Sequence, residues 1–366
     1  MQNLFSGIYK DKTVLVTGHT GFKGSWLVYW LTQMGANVVG YSLEAPTEPN
    51  HLDLLNLNIT SVIGDIRDLN KLNETFQTYQ PEIVFHLAAQ PLVRLSYENP
   101  IETYETNVMG TLKLFEACRG NNVKAIVNIT SDKAYENREW VWGYRENDPM
   151  GGYDPYSSSK GCADLLANSY RSSYFNPSEY KKSHNTLLAS CRAGNVIGGG
   201  DWAKDRLMTD IMLSVSQGKK VSIRNPYATR PWQHVLEPLS GYLAIGQKLL
   251  EERVEFGEAW NFGPSDEGSI TVEEVVNHVK KHWDKIDYEI TRDPNQLHEA
   301  NLLKLDCSKA HIRLKWKDVW DSETTFENTV LWYKNFYEEN KKVLTSQDLY
   351  NYVNDAKIKQ IPWSAF

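Results

Sequence analysis

The chain has 366 residues, of which 41% are apolar and 23% charged, so disordered and low-complexity classes are excluded. Its length predicts two domains, or one large α/β domain with a smaller appendage. The 46 Asp and Glu residues exceed the 39 Lys and Arg residues, and the net charge of −7 argues against a broad nucleic-acid or anionic-membrane surface. An anionic ligand would have to meet a local basic pocket.

The cysteines and the N-terminus indicate a reducing compartment. Cys118, Cys162, Cys191 and Cys307 are too scattered for a disulfide framework or a structural zinc site, so we expect reduced thiols and no metal. The N-terminus lacks the pattern of a signal peptide, and the longest apolar run is far shorter than the roughly 18 residues that span a bilayer. We therefore expect a cytoplasmic protein without a membrane or nucleic-acid partner.

Short, almost continuously apolar runs alternate with helical patterns in the first half of the chain. Such runs are typical of parallel strands covered on both faces. They predict strands at 13–17, 38–42, 61–63, 83–87, 125–130 and 186–191. Apolar spacing of three and four residues predicts helices at 22–34, 68–79, 101–119 and 155–174. This alternation predicts an α/β fold with a Rossmann-type doubly wound parallel sheet.

After about residue 195 the alternation loosens. The pattern there predicts a short strand at 221–224 and helices at 237–252, 271–283 and 323–342. We interpret 1–195 as a nucleotide-binding domain with the catalytic residues. Residues 196–366 are then mainly a smaller, mostly helical substrate lobe, with some segments returning to the first domain. Ligands of doubly wound sheets bind at the carboxyl ends of the strands, so the substrate should lie between the lobes. The tail from Thr345 stays undecided between an ordered and a loose segment.

A glycine-rich turn joins the first predicted strand to the first predicted helix. It reads Gly18-His19-Thr20-Gly21-Phe22-Lys23-Gly24, where backbone N–H groups and the helix dipole favour a pyrophosphate. The G-x-x-G-x-x-G spacing departs from the G-x-G-x-x-G fingerprint but serves the same tight turn. The second strand lacks the expected terminal carboxylate, so it does not decide between NAD and NADP. Asp65 either faces the adenine or is an N-cap or turn carboxylate before the next helix.

Tyr156 and Lys160 stand four residues apart on a predicted helix and therefore share one face. A free tyrosine has a pKa of about 10, so Tyr156 acts as a base near neutrality only beside a cation such as Lys160. The same spacing is common on solvated helix faces. Together with the glycine turn far upstream, it indicates a hydride-transfer site.

These motifs resemble those of the extended short-chain dehydrogenase/reductase family of nucleotide-sugar enzymes, from about Lys12 to at least His234. The segment His86-Leu87-Ala88-Ala89-Gln90 is similar to the cofactor-contacting strand end of that family, and Asn107 matches a structural helix position. Arg192-Ala193-Gly194-Asn195-Val196 is similar to its substrate-phosphate segment. We interpret His86 itself as a packed histidine. The resemblance implies NAD as cofactor, held by Gly18, His19, Gly21, Phe22, Lys23, Gly24, Asp65, Ile66, Leu87, Ala88, Ala89, Tyr156 and Lys160.

The end of the fifth strand, Thr130-Ser131-Asp132-Lys133, separates the branches of this family. Epimerases carry only small or hydroxyl residues there, whereas 4,6-dehydratases carry a hydroxyl residue, then Asp, then Glu. Asp132 therefore implies a dehydratase, and Lys133 in place of Glu is similar to the branch that acts on CDP-glucose. The implied reaction is oxidation at C4, elimination of water across C5 and C6, and return of the hydride to C6, without net oxidation.

The resemblance also implies a role for each catalytic residue. Tyr156 takes the proton of the sugar 4-hydroxyl, Lys160 lowers the pKa of Tyr156, and Ser131 orients the hydroxyl. We assign Asp132 as the acid for the leaving 6-hydroxyl and Lys133 as the base for C5, which requires a protonated carboxyl and a neutral amine. Burial favours both states. An exposed Asp–Lys pair in a surface loop is the structural alternative.

A diphosphate substrate needs cations, and the fork of arginine suits phosphate. The expected substrate-binding residues are Gln90, Arg94, Asn195, Arg206 and Arg230, with Arg230 and Asn195 at the diphosphate and Gln90 and Arg94 near the hexose. For Arg224, a role at the diphosphate and an ordinary position on the surface remain equally open. The sequence does not identify the residues that read the cytosine.

The family commonly dimerises through the helix that carries the catalytic tyrosine, so we expect a homodimer or a homotetramer. Two other functions remain open from the sequence. One is a 4,6-dehydratase for another nucleotide hexose, such as dTDP-glucose or GDP-mannose. The other is a non-catalytic, NAD-bound sensor of the same fold, against which the joint presence of Asp132, Lys133, Tyr156 and Lys160 argues.

Overall fold

The structure is a computed structural model that describes residues 1–223, 226–264, 269–291 and 302–365, without the side chains of Arg230 and Ser269. Its strands are β1 (Thr13–Thr17), β2 (Asn37–Ser42), β3 (Thr60–Ile63), β4 (Ile83–His86), β5 (Ala125–Ile129), β6 (Leu187–Ala193), β7 (Val196–Ile197), β8 (Val221–Ile223), β9 (Thr229–Pro231), β10 (Gln233–His234), β11 (Ala259–Phe262), β12 (Ser269–Thr271) and β13 (Tyr288–Ile290).

The helices are α1 (Phe22–Gln33), α2 (His51–Leu55), α3 (Leu69–Tyr79), α4 (Val93–Glu98), α5 (Pro100–Tyr104), α6 (Thr111–Gly120), α7 (Pro155–Ser172), α8 (Leu207–Ser216), α9 (Leu236–Leu250), α10 (Val272–His282), α11 (Ser322–Glu338) and α12 (Thr345–Ile358). A π-helical turn, Glu105–Gly110, joins α5 to α6, so the single helix predicted at 101–119 has three parts. In the described part of the chain, none of the helices has the length and apolar character needed to cross a membrane.

Within the described residues, seven parallel strands form the main sheet in the order β11-β6-β5-β4-β1-β2-β3. After β3, at one edge of the sheet, the chain crosses back to β4 on the other side of β1. The sheet is therefore doubly wound, and the predicted fold is confirmed. The six predicted strands correspond to β1 to β6. The seventh, β11, was not predicted, and it returns to the sheet from the C-terminal part of the chain.

Apolar layers cover both faces of this sheet, which explains the continuous apolar strands. In β1, Val14 and Val16 pack into a core with α1, α9 and C-terminal segments. The intervening Leu15 faces the opposite core, which contains residues of α3, α6 and α7. Successive residues of one strand are therefore buried on opposite sides.

A second apolar core lies outside the main sheet. It combines residues of α8, α10 and α11, such as Phe326 in α11, with Trp202 and Trp232. Three two-stranded sheets, β10-β7, β12-β9 and β13-β8, accompany it in the described residues. Residues of this core, such as Trp202 and Trp232, line one cavity together with residues at the carboxyl ends of the central strands.

The tail that the sequence left undecided is ordered and packs on the main domain. It forms α12, after which Trp363 stacks on Phe5 with ring centroids 5.2 Å apart. The buried carboxylate of Glu237, at the start of α9, accepts two hydrogen bonds from the C-terminal segments. The donors are the backbone N of Trp320 and Tyr352 Oη in α12, each at 2.8 Å. The C-terminal segments are therefore part of the main core.

Candidate active site

A cavity of about 1340 Å³ lies at the carboxyl ends of the central strands and extends to the second core. Of the predicted site residues, those that line it are Gly18, Gly21, Phe22, Lys23, Gly24, Asp65, Ile66, Leu87, Ala88, Ala89, Gln90, Arg94, Ser131, Asp132, Lys133, Tyr156, Lys160, Asn195 and Arg206. The side chain of His19 is not among them. Arg224 and the side chain of Arg230 lie outside the described residues, although the backbone of Arg230 pairs with Ile270. The fold thus brings nearly all predicted positions to one cavity.

The turn after β1 approaches neighbouring backbone so closely that only glycine fits. Gly18 has a φ of +73°, and a Cβ there would lie 2.8 Å from the backbone N of Ala88. A Cβ at Gly24 would lie 2.1 Å from the carbonyl oxygen of Gly18. The N-cap residue of α1, Gly21, offers no side-chain hydrogen bond, which leaves the first N–H groups of the helix available to an anion in the cavity.

The ring of His19 instead ties this turn to the sheet. Its Nε2 lies 2.7 Å from Ser61 Oγ and its Nδ1 lies 3.0 Å from Ser42 Oγ. Burial lowers the pKa of His19 to about 4, so the ring is neutral at neutral pH. Ser42, where the fingerprint expects a carboxylate, also bonds to Thr20 at 2.9 Å.

Asp65 lines the cavity and does not cap the following helix. Asp68 caps α3 by accepting a hydrogen bond from the backbone N of Lys71 at 3.0 Å. The carboxylate of Asp65 accepts from Arg67 Nη2 at 2.6 Å, and this hydrogen bond lowers the pKa of Asp65. The helix cap therefore belongs to Asp68, while Asp65 is a turn carboxylate whose Oδ1 accepts a hydrogen bond from the backbone N of Arg67 at 2.8 Å.

The turn that the sequence predicts to supply the acid and the base, residues 131–133 and hereafter the acid–base turn, lies at the end of β5, directly against α7. Ser131 Oγ donates to Asp132 Oδ1 at 2.8 Å, and the backbone N of Lys133 donates to Ser131 Oγ at 3.2 Å. Lys160 Nζ lies 3.5 Å from the carbonyl oxygen of Ile129 in β5. Asp132 is only 5% exposed, so it does not belong to an exposed surface pair. Lys133 is half-buried.

Burial shifts the pKa values of Asp132, Tyr156 and Lys160. It raises the pKa of Asp132, against the opposing charge of Lys133. It lowers the pKa of Lys160 to about 8, against the opposing charge of Asp164. It raises the pKa of Tyr156 to about 12, while a hydrogen bond from Ser131 lowers it and the negative charge of Asp132 raises it further. A neutral Asp132 would therefore also make Tyr156 a better base.

Gly194 leaves room for the Asp132 carboxyl group. A Cβ at Gly194 would lie 2.9 Å from Asp132 Oδ2. Gly194 directly follows β6, and the next residue, Asn195, lines the same cavity. The segment predicted to bind the substrate diphosphate thus lies beside the acid–base turn.

Three of the predicted substrate-binding residues already have protein partners. Gln90 Oε1 accepts from the backbone N of Leu92 at 2.6 Å and Gln90 Nε2 donates to Thr103 Oγ1 at 3.0 Å, so this amide holds its own loop. Arg94 Nη1 lies 3.6 Å from Asp205 Oδ1, which joins α4 to the loop before α8. Arg206 pairs with Asp201 at 2.6 Å.

One buried pair beside the site, Asp164 and Arg192, was not predicted. Asp164 continues the spacing of Tyr156 and Lys160 by another four residues, a signal that could have identified it. Arg192 stands in the segment interpreted as substrate-binding. Its guanidinium lies instead against Asp164, with Nη2 3.1 Å from Oδ1, because alternate residues of a strand face opposite sides.

Histidine 86 is packed at the end of β4, as the sequence analysis interpreted it. His86 Nδ1 lies 2.7 Å from Thr17 Oγ1 and Nε2 lies 2.9 Å from Thr111 Oγ1. Asn107 lies in the π-helical turn and donates to Ser159 Oγ at 2.8 Å. His86 thus links the end of β1 to α6, and Asn107 links the π-helical turn to α7.

Comparison with known proteins gives relatives along nearly the whole chain. A CDP-glucose 4,6-dehydratase of Salmonella typhimurium is 55% identical over 350 residues, which cover 94% of this chain and 97% of the relative. The structure of a dTDP-glucose 4,6-dehydratase from Bacillus anthracis, in complex with NAD, superposes with a TM-score of 0.73 at 24% identity, covering 90% of this chain and 98% of the other. An epimerase from Methanothermobacter thermautotrophicus superposes with a TM-score of 0.77 at 24% identity, covering 93% and 95% of the two chains.

The glycine turn and the buried Tyr156 and Lys160 at the sheet edge define a nucleotide-binding α/β protein of the dehydrogenase type. The chain matches the family described as GDP-mannose 4,6 dehydratase over residues 15–330, and it belongs to that family. The resemblance drawn from the motifs is thereby confirmed.

Proposed function

We propose that this protein is an NAD-dependent hydro-lyase that converts CDP-D-glucose to CDP-4-keto-6-deoxy-D-glucose. The observation that carries the proposal is the position of Asp132 and Lys133 on one turn, beside Ser131, Tyr156 and Lys160 in a single cavity. An epimerase needs no such acid and base beside its tyrosine. The 55% identity to a CDP-glucose 4,6-dehydratase supports CDP-glucose as the substrate.

The residues around the glycine turn fit NAD. The close approach of Gly18 to Ala88 leaves no space for a side chain, and the uncapped start of α1 suits a pyrophosphate. Lys160 would hold the nicotinamide ribose, with Asp65 and Ile66 near the adenine. When bound, NAD supplies a two-electron acceptor that is regenerated within one turnover.

The first task of the protein is to remove the proton of the sugar 4-hydroxyl at Tyr156 Oη. Burial alone opposes this, since it raises the pKa of Tyr156 to about 12. Other groups act in the opposite direction. The charge of Arg206 lowers the pKa of Tyr156, and we expect Lys160 to add positive charge. Once Asp132 is protonated, it no longer adds negative charge, and the Ser131 hydroxyl can donate its hydrogen bond to the phenolate in place of the Asp132 carboxylate. Tyr156 is therefore deprotonated more easily while Asp132 is neutral.

The second task is the elimination of water across C5 and C6. Burial raises the pKa of Asp132 and so favours the protonated carboxyl group, which would donate its proton to the departing 6-hydroxyl. Lys133, in its neutral form, would accept the C5 proton. Both groups come from one short turn, so they reach adjacent carbons of the sugar. Gly194 lies against the Asp132 carboxyl and keeps side chains away from it.

We also propose a division of labour along the chain. Residues 1–195 bind NAD and carry out the chemistry, and residues 196–366 mainly bind the nucleotide sugar. Asn195, Arg206 and Arg230 would meet the diphosphate, and Gln90 and Arg94 would border the hexose. The four free cysteines support a cytoplasmic location, where thiols stay reduced.

Product analysis tests the substrate assignment. The purified protein and NAD are incubated with one nucleotide sugar at a time: CDP-glucose, dTDP-glucose, UDP-glucose or GDP-mannose. The mass of each product is then measured by mass spectrometry. We expect loss of one water from CDP-glucose alone. Loss from another nucleotide sugar would overturn the substrate assignment, and loss from none would favour an epimerase or a non-catalytic NAD-bound sensor.

We further propose a homodimer formed through α5 and α7, on which a tetramer could be built. These helices pack together, and they expose large apolar side chains, with Ile101 74% exposed and Leu165 56% exposed. Leu165→Lys should convert the dimer to a monomer in sedimentation velocity. Ile358→Lys, at a 79% exposed position of α12, is the control. A monomeric wild-type protein would overturn this proposal.

A further inference from the structure

One buried carboxylate connects the catalytic helix to the acid–base turn. Asp164 lies on α7 and its side chain is fully buried. Its Oδ2 accepts hydrogen bonds from Thr130 Oγ1 at 2.6 Å and from Arg192 Nε at 3.1 Å. Its Oδ1 accepts from Arg192 Nη2 at 3.1 Å, which makes the pair bidentate.

The guanidinium of Arg192 continues this connection to the other end of the turn. Its Nη1 donates to Tyr135 Oη at 2.6 Å and to the carbonyl oxygen of Glu146 at 3.0 Å. The guanidinium carbon also lies 4.9 Å from the centre of the Tyr135 ring. Tyr135 Oη in turn donates to Asn261 Oδ1 at 2.8 Å, which links the turn to β11.

Thr130 and Tyr135 flank the turn that carries Ser131, Asp132 and Lys133. Both ends of that turn are therefore bonded, through one ion pair, to the helix that carries Tyr156 and Lys160. A slip of the turn against the helix would have to break these buried hydrogen bonds.

Stability alone is a weak reason for such a pair. Buried ion pairs lose so much hydration that well-packed apolar residues are often as stable or more so. A fully satisfied buried network, in contrast, fixes a single geometry of the elements that it joins. The bonds of Asp164 and Arg192 run to the two ends of the acid–base turn, which is the element whose geometry the chemistry needs.

We propose that Asp164 and Arg192 are positioning residues for dehydration, which hold the acid–base turn in register with the helix of Tyr156. This inference rests on the proposed function. Neither Asp164 nor Arg192 lines the cavity. Because a displacement of about 1 Å in a catalytic group can cost roughly a hundredfold in rate, a loosened turn should slow the elimination.

Two mild substitutions test the inference without unpairing the buried charges. Thr130→Val and Tyr135→Phe each remove one oxygen at one end of the turn. Matched controls are Thr186→Val, which removes a buried 2.6 Å bond to the carbonyl oxygen of Val123, and Tyr9→Phe, which removes a buried 2.5 Å bond to that of Leu243.

Turnover of CDP-glucose and the absorbance of reduced nicotinamide in a single turnover are measured for all four variants. We expect kcat of the two test variants to fall roughly ten- to hundredfold with KM unchanged. Reduced nicotinamide should accumulate, because oxidation at C4 proceeds while elimination is slow. The controls should lose similar thermal stability and keep wild-type kcat.

The outcomes separate the two proposals. Wild-type kcat in Thr130→Val and Tyr135→Phe, or equal losses in the controls, would overturn the positioning role and leave the proposed function intact. A wild-type protein that dehydrates no nucleotide sugar would overturn the proposed function and the positioning role together.

Discussion

At the scale of single residues, Asp132 should carry the elimination and Tyr156 the oxidation. Asp132→Asn keeps the size of the side chain but removes the acid, so we expect kcat to fall roughly 10²–10⁴-fold. Oxidation at C4 should continue, and reduced nicotinamide should accumulate in a single turnover. Tyr156→Phe is the matched variant, in which no such signal should appear. Rapid full turnover by Asp132→Asn would contradict the acid assignment.

The sequence located these residues because each belongs to a short motif with a fixed spacing. It did not show which way neighbouring side chains face. The resemblance assigns His19 to the cofactor, and its pattern gave no sign that the ring bonds to Ser42 and Ser61. Arg192 was read within a substrate-phosphate segment, but it is buried against Asp164. Motif position is local information, whereas side-chain partners such as these come from distant parts of the chain.

At the scale of elements, the turn between β1 and α1 depends on a close backbone contact. A Cβ at Gly24 would lie 2.1 Å from the carbonyl oxygen of Gly18, and both elements would have to shift. Such overpacking costs about 1–3 kcal/mol. We expect Gly24→Ala to weaken NAD binding roughly ten- to hundredfold in a fluorescence titration.

A matched control for that variant lies at the end of α6. A Cβ at Gly120 would meet nothing within 4 Å, so Gly120→Ala should leave the dissociation constant for NAD unchanged. Equal affinity in Gly24→Ala and Gly120→Ala would show that the close contact in the turn does not matter for the cofactor.

The first six strands were predictable because both of their faces are buried, which makes them apolar without interruption. The strand β11 was not predictable in this way, because Ala259–Phe262 is a short segment within the looser C-terminal pattern. It pairs with β6, which is far away in the sequence. The helix α12 was also left undecided. Its residue Tyr352 packs against Trp30 and Trp320, which are far from it in the sequence.

The start of α9 offers a stability test of how the C-terminal segments are held. Burial raises the pKa of Glu237 to about 8, above its ordinary value of 4.5. The group therefore stabilises the fold fully below pH 4.5, and this contribution is lost as the pH rises through 8. Because Glu237→Gln is neutral throughout, its stability relative to wild type should increase from pH 5 to pH 9.

Thermal unfolding at a series of pH values measures this difference. Tyr352→Phe is the control, because it removes a hydrogen bond to Glu237 and keeps the titrating carboxyl group. It should lower stability and still titrate, with the loss of stability moved to a higher pH, because the hydrogen bond from Tyr352 lowers the pKa of Glu237. A stability difference between Glu237→Gln and wild type that does not change with pH would contradict the expected protonation of Glu237.

At the scale of the whole molecule, buried histidines should make the fold sensitive to acid. Burial lowers the pKa of His19 to about 4 and those of His51, His86 and His234 to about 3. In the unfolded chain these rings take up protons near pH 6.5. Below that pH the unfolded state binds more protons than the fold, so stability should fall as the pH drops towards 4.

His234 isolates one part of this effect. Its ring lies edge-on to Trp26 and Trp320, and Nε2 has no hydrogen-bond partner among the described residues. His234→Phe keeps a ring at this position and removes the titration. Below pH 6.5 we expect the loss of unfolding free energy to be smaller than in wild type, by up to about 1.4 kcal/mol per pH unit.

A second variant separates titration from packing. His234→Gln also removes the titrating ring but fills the space between the two tryptophans less well, so it should be less stable at neutral pH. Its dependence on pH should nevertheless be as shallow as that of His234→Phe. If both variants lost stability with acid as steeply as the wild type, buried His234 would not contribute to the acid sensitivity of the fold.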